Sequence, residues 1–151
     1  MSGRLFTSAE RELLRHVLNR LVPESPGLPA AGDLGIAAYL EEVVGARAGM
    51  GRLLLDGLRR IARIGEGRHP DGYAALTGDE QDSVLGVVER EDPGFFEVLV
   101  AETYSGYYSH PTVLRHLGVE GPPQPRGHTL EPFQGPLVER VRRSGFTYRQ
   151  V

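Results

Sequence analysis

The sequence predicts an all-α fold, a compact bundle of about five or six helices followed by a proline- and glycine-rich C-terminal arm. Two capping boxes, Thr7–Glu10 and Thr77–Glu80, and the pair Asp92–Pro93 each predict the start of a helix. Apolar residues recur three and four positions apart behind these starts, which is the spacing of one helix face. No segment shows sustained alternation of β-branched residues, so strands are not expected.

The first helix is expected to begin behind Thr7 and to end at Pro23, because proline cannot continue a helix. Its apolar stripe consists of Leu13, Leu14, Val17, Leu18 and Leu21. Residues 23–32, PESPGLPAAG, form a connector rich in proline and glycine. Asp33 is then expected to cap a second helix, whose inward residues are Ile36, Leu40, Val43 and Val44.

A third helix is predicted to end at the segment containing Gly65, Gly67 and Pro70. Its inward residues are Met50, Leu53, Leu54, Leu58, Ile61 and Ile64, and its solvent-facing residues are Arg59, Arg60 and Arg63. The helix behind Thr77 is expected to bury Val84, Leu85 and Val88. The helix behind Asp92 is expected to turn inward Phe95, Phe96, Leu99, Val100 and Thr103.

The C-terminal part of the chain differs in composition, which predicts a helical domain at 1–117 and an arm at 118–151. Gly118–Pro136 contains five prolines and four glycines, too many for a helix. A short helix is expected around Leu137–Arg143. The arm is expected to lie along a surface, either that of its own domain or that of a partner.

Composition excludes several classes of function. The 151 residues suit one domain, and with no cysteine the chain has neither disulfides nor Cys-ligated metals. All 17 basic residues are arginine, so chemistry that needs a lysine amine is excluded. The net charge of −3 argues against a nucleic-acid partner, and no apolar run is long enough to insert this chain into a membrane.

The residues that could carry chemistry do not form a recognisable catalytic set. No pair among the five histidines has zinc-ligand spacing, although a metal site built from His110, His116 and His128 remains an alternative. Ser105 lacks the surroundings of a nucleophile elbow, and no dinucleotide fingerprint is present. The pairs Glu41–Glu42 and Glu89/Glu91 are interpreted as solvated helix faces. We therefore assign no catalytic, cofactor-binding or metal-binding residue.

The most unusual cluster is the segment Tyr104–Pro111, YSGYYSHP. One reading is that Tyr104 and one of its neighbours Tyr107 and Tyr108 close the core. However, adjacent helical residues point about 100° apart, so both neighbours cannot be buried equally. One ring is then exposed, or is covered by the arm or by another chain, and tyrosine is favoured at such interfaces.

Two segments, Val22–Val44 (VPESPGLPAAGDLGIAAYLEEVV) and Phe95–Gly127, resemble a known family. Val22–Val44 is similar to the opening of the gluconate 2-dehydrogenase subunit 3 family. Phe95–Gly127 resembles its aromatic helix, its G-Y-Y-S-x-P turn and its G-P-P-x-P-x-G arm. The resemblance extends from about Leu13 to Phe133, which is most of the chain.

The resemblance implies a non-catalytic small subunit that binds and stabilises a large FAD-dependent sugar or polyol dehydrogenase of the glucose–methanol–choline type. FAD is expected in that partner and not in this chain, and a c-type cytochrome subunit joins some such complexes. The expected partner surface combines the tyrosine segment with the arm and consists of Tyr107, Tyr108, His110, Pro111, Pro122, Pro123, Pro125, Arg126 and His128.

Alternatives stay open on both function and location. A free-standing small enzyme or metal-binding protein using His110, His116 and His128 is the rival, and a self-associating protein is a weaker third. The first capped helix begins at Thr7, which leaves no room for an export signal and favours a cytoplasmic location. A periplasmic location follows instead if a signal was lost or is carried by the partner.

Overall fold

A computed structural model describes residues 5–47, 49–119 and 143. Within these residues the chain is all-α, as predicted, with six α-helices and no strand. No helix in these ranges is both long enough and apolar enough to cross a bilayer. The predicted arm, apart from residues 118, 119 and 143, lies outside the described residues. The helices are α1 Ser8–Leu21, α2 Ile36–Gly45, α3 Met50–Arg68, α4 Gly78–Glu91, α5 Pro93–Ser109 and α6 Pro111–His116.

The core lies between α1, α3 and α5, with α2 and α4 packed against all three. Most of the predicted inward residues are buried, and those without solvent exposure include Leu14, Val17, Leu40, Val44, Leu54, Leu58, Ile61, Val84, Val88 and Leu99. Helices α3 and α5 approach so closely at Gly57 that a Cβ atom there would lie 2.1 Å from the ring of Phe95. A glycine is therefore required at this crossing.

The three helix starts predicted from the two capping boxes and from Asp92–Pro93 are confirmed. The Thr7 hydroxyl accepts a hydrogen bond from the Glu10 amide at 3.1 Å, and the Glu10 carboxylate accepts one from the Thr7 amide at 2.8 Å. Thr77 and Glu80 form the same reciprocal pair. Asp92 caps α5 by accepting from the Phe95 amide at 3.3 Å, with Pro93 in the first turn.

Asp33 does not cap the second helix, and that prediction is wrong. It lies in a short 3₁₀ turn, Ala31–Leu34, and its carboxylate accepts a hydrogen bond from Arg15 at 2.8 Å. The cap of α2 is Gly35, whose φ of 75° is a left-handed conformation that favours glycine. The turn therefore docks on α1 before the chain enters α2.

Helix α3 ends at Arg68, inside the predicted segment of Gly65, Gly67 and Pro70. Gly65 itself is helical and buried. The backbone of Tyr73 packs directly against it, since a Cβ atom at Gly65 would lie 2.6 Å from the Tyr73 nitrogen. Gly65 therefore leaves room for this close contact. As predicted, Arg59 and Arg63 are exposed, whereas Arg60 is half-buried.

Glu41 is not on a solvated face, in contrast to the prediction. Its side chain is only 19% exposed, and its carboxylate accepts two hydrogen bonds from Arg11 at 3.0 Å and one from the Phe6 amide at 3.2 Å. Hydrogen bonding to Arg11, helped by the Phe6 amide, lowers the pKa of Glu41. This network fastens α1 and the preceding residues to α2. Glu42, Glu89 and Glu91 are exposed, as predicted.

Candidate partner surface

The second half of α5 carries three tyrosines with different environments. Tyr107 is 2% exposed, whereas Tyr104 and Tyr108 are 42% and 51% exposed. The rings of Tyr104 and Tyr108 stack one helical turn apart, with centroids 6.0 Å apart and planes inclined by 21°. The prediction that only one of the adjacent pair is buried is confirmed. The reading in which Tyr104 closes the core is wrong.

Tyr104 and Tyr108 form an exposed patch, here called the tyrosine surface, and Tyr107 supports it from inside the fold. Its hydroxyl donates a hydrogen bond to the Pro29 carbonyl at 3.0 Å, and its ring meets the edge of Tyr108 at a centroid distance of 5.4 Å. Burial raises the pKa of the Tyr107 phenol, and Tyr108 adds to the effect. Next to it, a Cβ atom at Gly106 would lie 2.5 Å from the Tyr39 ring. Tyr107 therefore orients Tyr108 but has almost no surface to offer a partner.

His110 and Pro111 form the junction between α5 and α6. His110 is half-buried and caps α6, since its Nδ1 accepts a hydrogen bond from the Thr112 amide at 3.3 Å. Pro111 is exposed at the first position of α6. Beyond this helix, Leu117 and Val119 are 52% and 43% exposed. The predicted interface residues Pro122, Pro123, Pro125, Arg126 and His128 lie outside the described residues.

His110 and His116 lie at opposite ends of α6. The imidazole of His116 covers the connector turn, where a Cβ atom at Gly27 would lie 2.5 Å from its Cε1. Residues 5–47 and 49–119 contain no group of three histidine and acidic residues placed to hold a metal ion. Because His128 falls outside these ranges, the metal-site alternative stays an untested prediction. Ser105 donates to the Ala101 carbonyl at 2.8 Å, an ordinary hydrogen bond within the helix.

Sequence reasoning missed a groove between α4 and α5. It has a volume of about 430 Å³ and is lined by Glu89, Pro93, Phe96, Glu97, Val100 and Ala101. Phe96 and Val100 were predicted to face inward, but both are half-buried at the groove. The small number of charged residues in α5 could have indicated this groove, because a helix that is apolar on all sides is normally covered on every side.

A second groove, of about 510 Å³, lies along α3. Arg59, Arg60 and Arg63 line it together with Asp56, Glu66 and Asp92. Arg59 and Arg60 form ion pairs with the carboxylates of Glu10 and Glu91 at 3.4 and 3.8 Å. Three guanidinium groups thus face three carboxylates, and the groove has no net charge with which to select a charged ligand.

The sequence model of one family, described as Gluconate 2-dehydrogenase subunit 3, matches residues 8–120. The chain belongs to this family. The match contains the whole of Val22–Val44 and the described part of Phe95–Gly127. Searches of curated proteins and of solved structures gave no match.

Val22–Val44 and the described part of Phe95–Gly127, which ends at Val119, lie side by side in the fold. The Tyr107 hydroxyl joins the Pro29 carbonyl, Gly106 packs on Tyr39, and the His116 ring covers Gly27. The connector and α2 therefore support the helices that carry the exposed tyrosines. In this member of the family, the described parts of the two sequence segments form one structural unit.

Proposed function

We propose that the chain is a non-catalytic accessory subunit that binds and stabilises a large FAD-dependent dehydrogenase subunit of the glucose–methanol–choline type. Membership of a family of gluconate 2-dehydrogenase subunits supports a place in such a complex. The observation that carries the proposal is the exposed, stacked pair Tyr104 and Tyr108 on α5. The flavin and the oxidation of the sugar hydroxyl belong to the partner in this proposal.

The tyrosine surface has the chemistry of a protein interface. Among the described residues, the large hydrophobic side chains that are exposed are Tyr104, Tyr108, Leu117 and Val119, and all lie from the second half of α5 onward. Tyrosine buries a large ring at little cost in side-chain entropy, while its hydroxyl keeps a hydrogen-bonding partner. Because the Tyr107–Pro29 hydrogen bond fixes the helix beneath, the rings are already oriented before a partner arrives.

Stabilisation of the large subunit follows from binding alone. A small subunit that binds only the folded form lowers the free energy of that form by about 2.7 kcal/mol when its concentration is a hundred times the Kd. No catalytic group is needed for this effect. The large subunit should therefore keep its flavin to a higher temperature when this chain is present.

The test is co-expression of the full chain with the large flavoprotein subunit, followed by affinity capture. Replacing both Tyr104 and Tyr108 by alanine should weaken capture about 30-fold or more, since interface hot spots contribute about 2 kcal/mol or more. The flavin of the large subunit should then be lost at a lower temperature. Unchanged capture by the double variant would place the interface away from these tyrosines, and a wild-type chain that captures no large subunit would refute the proposal.

A matched control replaces two exposed arginines of α3, Arg52 and Arg63, by alanine. This pair should leave capture unchanged, and both double variants should keep the helical circular dichroism of the wild type. The isolated chain should also be purified without flavin absorbance and without stoichiometric zinc. A yellow or zinc-containing preparation would favour the histidine-based alternative.

A further inference from the structure

Helix α5 is apolar on two faces. Its inner face buries Phe95 and Leu99 in the core. A second face, here called the outer face of α5, consists of Phe96, Val100, Tyr104 and Tyr108, which follow one another at intervals of four residues. Side chains four residues apart are rotated by only about 40° around the helix axis, so the four side chains form one oblique stripe.

The outer face of α5 is incompletely covered within the described residues. Phe96 and Val100 are half-buried, and Tyr104 and Tyr108 are exposed. Glu97 and Glu102 are the only charged residues of this 17-residue helix. A helix with so little charge is normally buried on all sides, because its apolar surface is costly to hydrate. The outer face therefore has the composition of a surface that another chain covers.

The shape of this face suits a helix. Its first half forms the floor of the groove against α4, where Phe96, Val100 and Ala101 supply apolar surface and Glu89 supplies the opposite wall. A groove between the side chains of two helices is the kind of surface into which a ridge of a third helix packs. From Phe96 to Tyr108 the face extends about 18 Å, which accommodates a helix of about three turns.

The charge of the groove is acidic. Glu89 and Glu97 line it and are exposed, and neither forms an ion pair with another described residue. No arginine is among the described residues that line it. Elsewhere Asp82 and Glu41 are matched by Arg20 and Arg11. The unmatched carboxylates of the groove thus complement a cationic side chain of a partner.

We propose that the outer face of α5 is one continuous docking face, and that an amphipathic helix of the large subunit binds along it. The partner helix places apolar side chains on Phe96 and Val100 and a lysine or arginine between Glu89 and Glu97. At its other end it reaches the stacked tyrosines. This inference rests on the proposed function and adds the chemistry and the secondary structure of the bound segment.

Photo-crosslinking identifies the bound segment directly. A benzophenone amino acid in place of Ala101, an exposed residue of the groove, is introduced into the full chain co-expressed with the large flavoprotein subunit. Mass spectrometry should find the crosslink on a large-subunit segment with apolar residues at helical spacing and a flanking lysine or arginine. The same probe at Ala38, exposed on α2, should not mark that segment. A crosslink to an irregular loop, or to a second copy of this chain, would overturn the proposal.

Charge reversal provides a second test. Replacing Glu89 and Glu97 together by lysine should weaken capture of the large subunit at least tenfold, and glutamine at both positions should weaken it less. Reversal of Glu42 and Glu66, which are exposed on α2 and α3, is the control and should have no effect. If the wild type captures the large subunit and the groove reversal does not weaken it, this inference is refuted while the proposed function stands. If the wild type captures nothing, the proposed function itself fails.

Discussion

The crossing of α3 and α5 predicts a specific response to adding one methyl group at Gly57. In the Gly57→Ala variant the new Cβ atom would lie 2.1 Å from Phe95 Cδ2, whereas ordinary contact begins near 3.4 Å. The Phe95 ring is completely buried, so it cannot rotate into solvent to relieve the contact. Either the ring or one of the two helices must shift by more than an ångström.

The expected cost follows from two opposing terms. Overpacking of a filled core costs about 1–3 kcal/mol. Replacement of glycine by alanine in a helix contributes up to about 1 kcal/mol in the other direction. We therefore expect Gly57→Ala to lower the free energy of unfolding by about 1–2 kcal/mol, or the Tm by roughly 4–8 °C in a domain of this size.

Urea unfolding followed by circular dichroism measures the effect, and the matched control is Gly67→Ala. Gly67 lies on the same helix, but a Cβ atom there would meet nothing within 4 Å. That variant should be about 0.5–1 kcal/mol more stable than the wild type. In the double variant Gly57→Ala/Phe95→Leu, the loss should be smaller than the sum of the two single losses, because the smaller side chain relieves the contact. A Gly57→Ala variant at least as stable as the wild type would refute the packing argument.

Three further variants test individual contacts. Glu41→Gln should lower the free energy of unfolding by about 1–2 kcal/mol at neutral pH. Because Arg11 lowers the pKa of Glu41, the full difference from the wild type should be present above the ordinary pKa of 4.5 and should disappear as the pH falls through the lowered pKa. Unfolding measured at several pH values checks this. Tyr107→Phe should cost about 1 kcal/mol in thermal unfolding, because the Pro29 carbonyl loses its donor. Thr77→Ala should cost about 1 kcal/mol in urea unfolding and increase amide exchange in the first turn of α4.

The helices were predictable because their signals are local. The capping boxes at Thr7 and Thr77 each involve residues three positions apart, and the structure confirms both. The failure at Asp33 has a different origin. Asp33 accepts a hydrogen bond from Arg15 of α1, 18 positions away, so a long-range contact decides its role. The close contact of Gly65 with the Tyr73 backbone likewise joins residues that local spacing does not relate.

The candidate surface was predictable only in part. Helix geometry predicted that Tyr107 and Tyr108 are not buried equally, but it could not say which ring is buried, because the choice depends on the position of Pro29. Glu41 looked like a solvated residue because its partner Arg11 lies 30 positions away. The groove beside Phe96 was not predicted. Neighbouring helices decide which face of α5 packs inward, and the periodicity of one helix does not identify those neighbours.

The connector between α1 and α2 has a composition that usually marks a site of proteolytic cleavage. Its backbone is nevertheless held in place: the Ala31 amide donates to the Val22 carbonyl at 3.0 Å, and the Gly32 amide donates to Asn19 Oδ1 at 2.7 Å. Gly32 also lies against the α1 backbone, where a Cβ atom would be 2.2 Å from the Arg15 carbonyl oxygen. A protease must extend the chain that it cuts, so cleavage at Ala31 or Gly32 requires this end of the connector to leave α1 first. This end should thus resist digestion until it detaches from α1, and its rate of cleavage would report the stability of the support beneath the tyrosines.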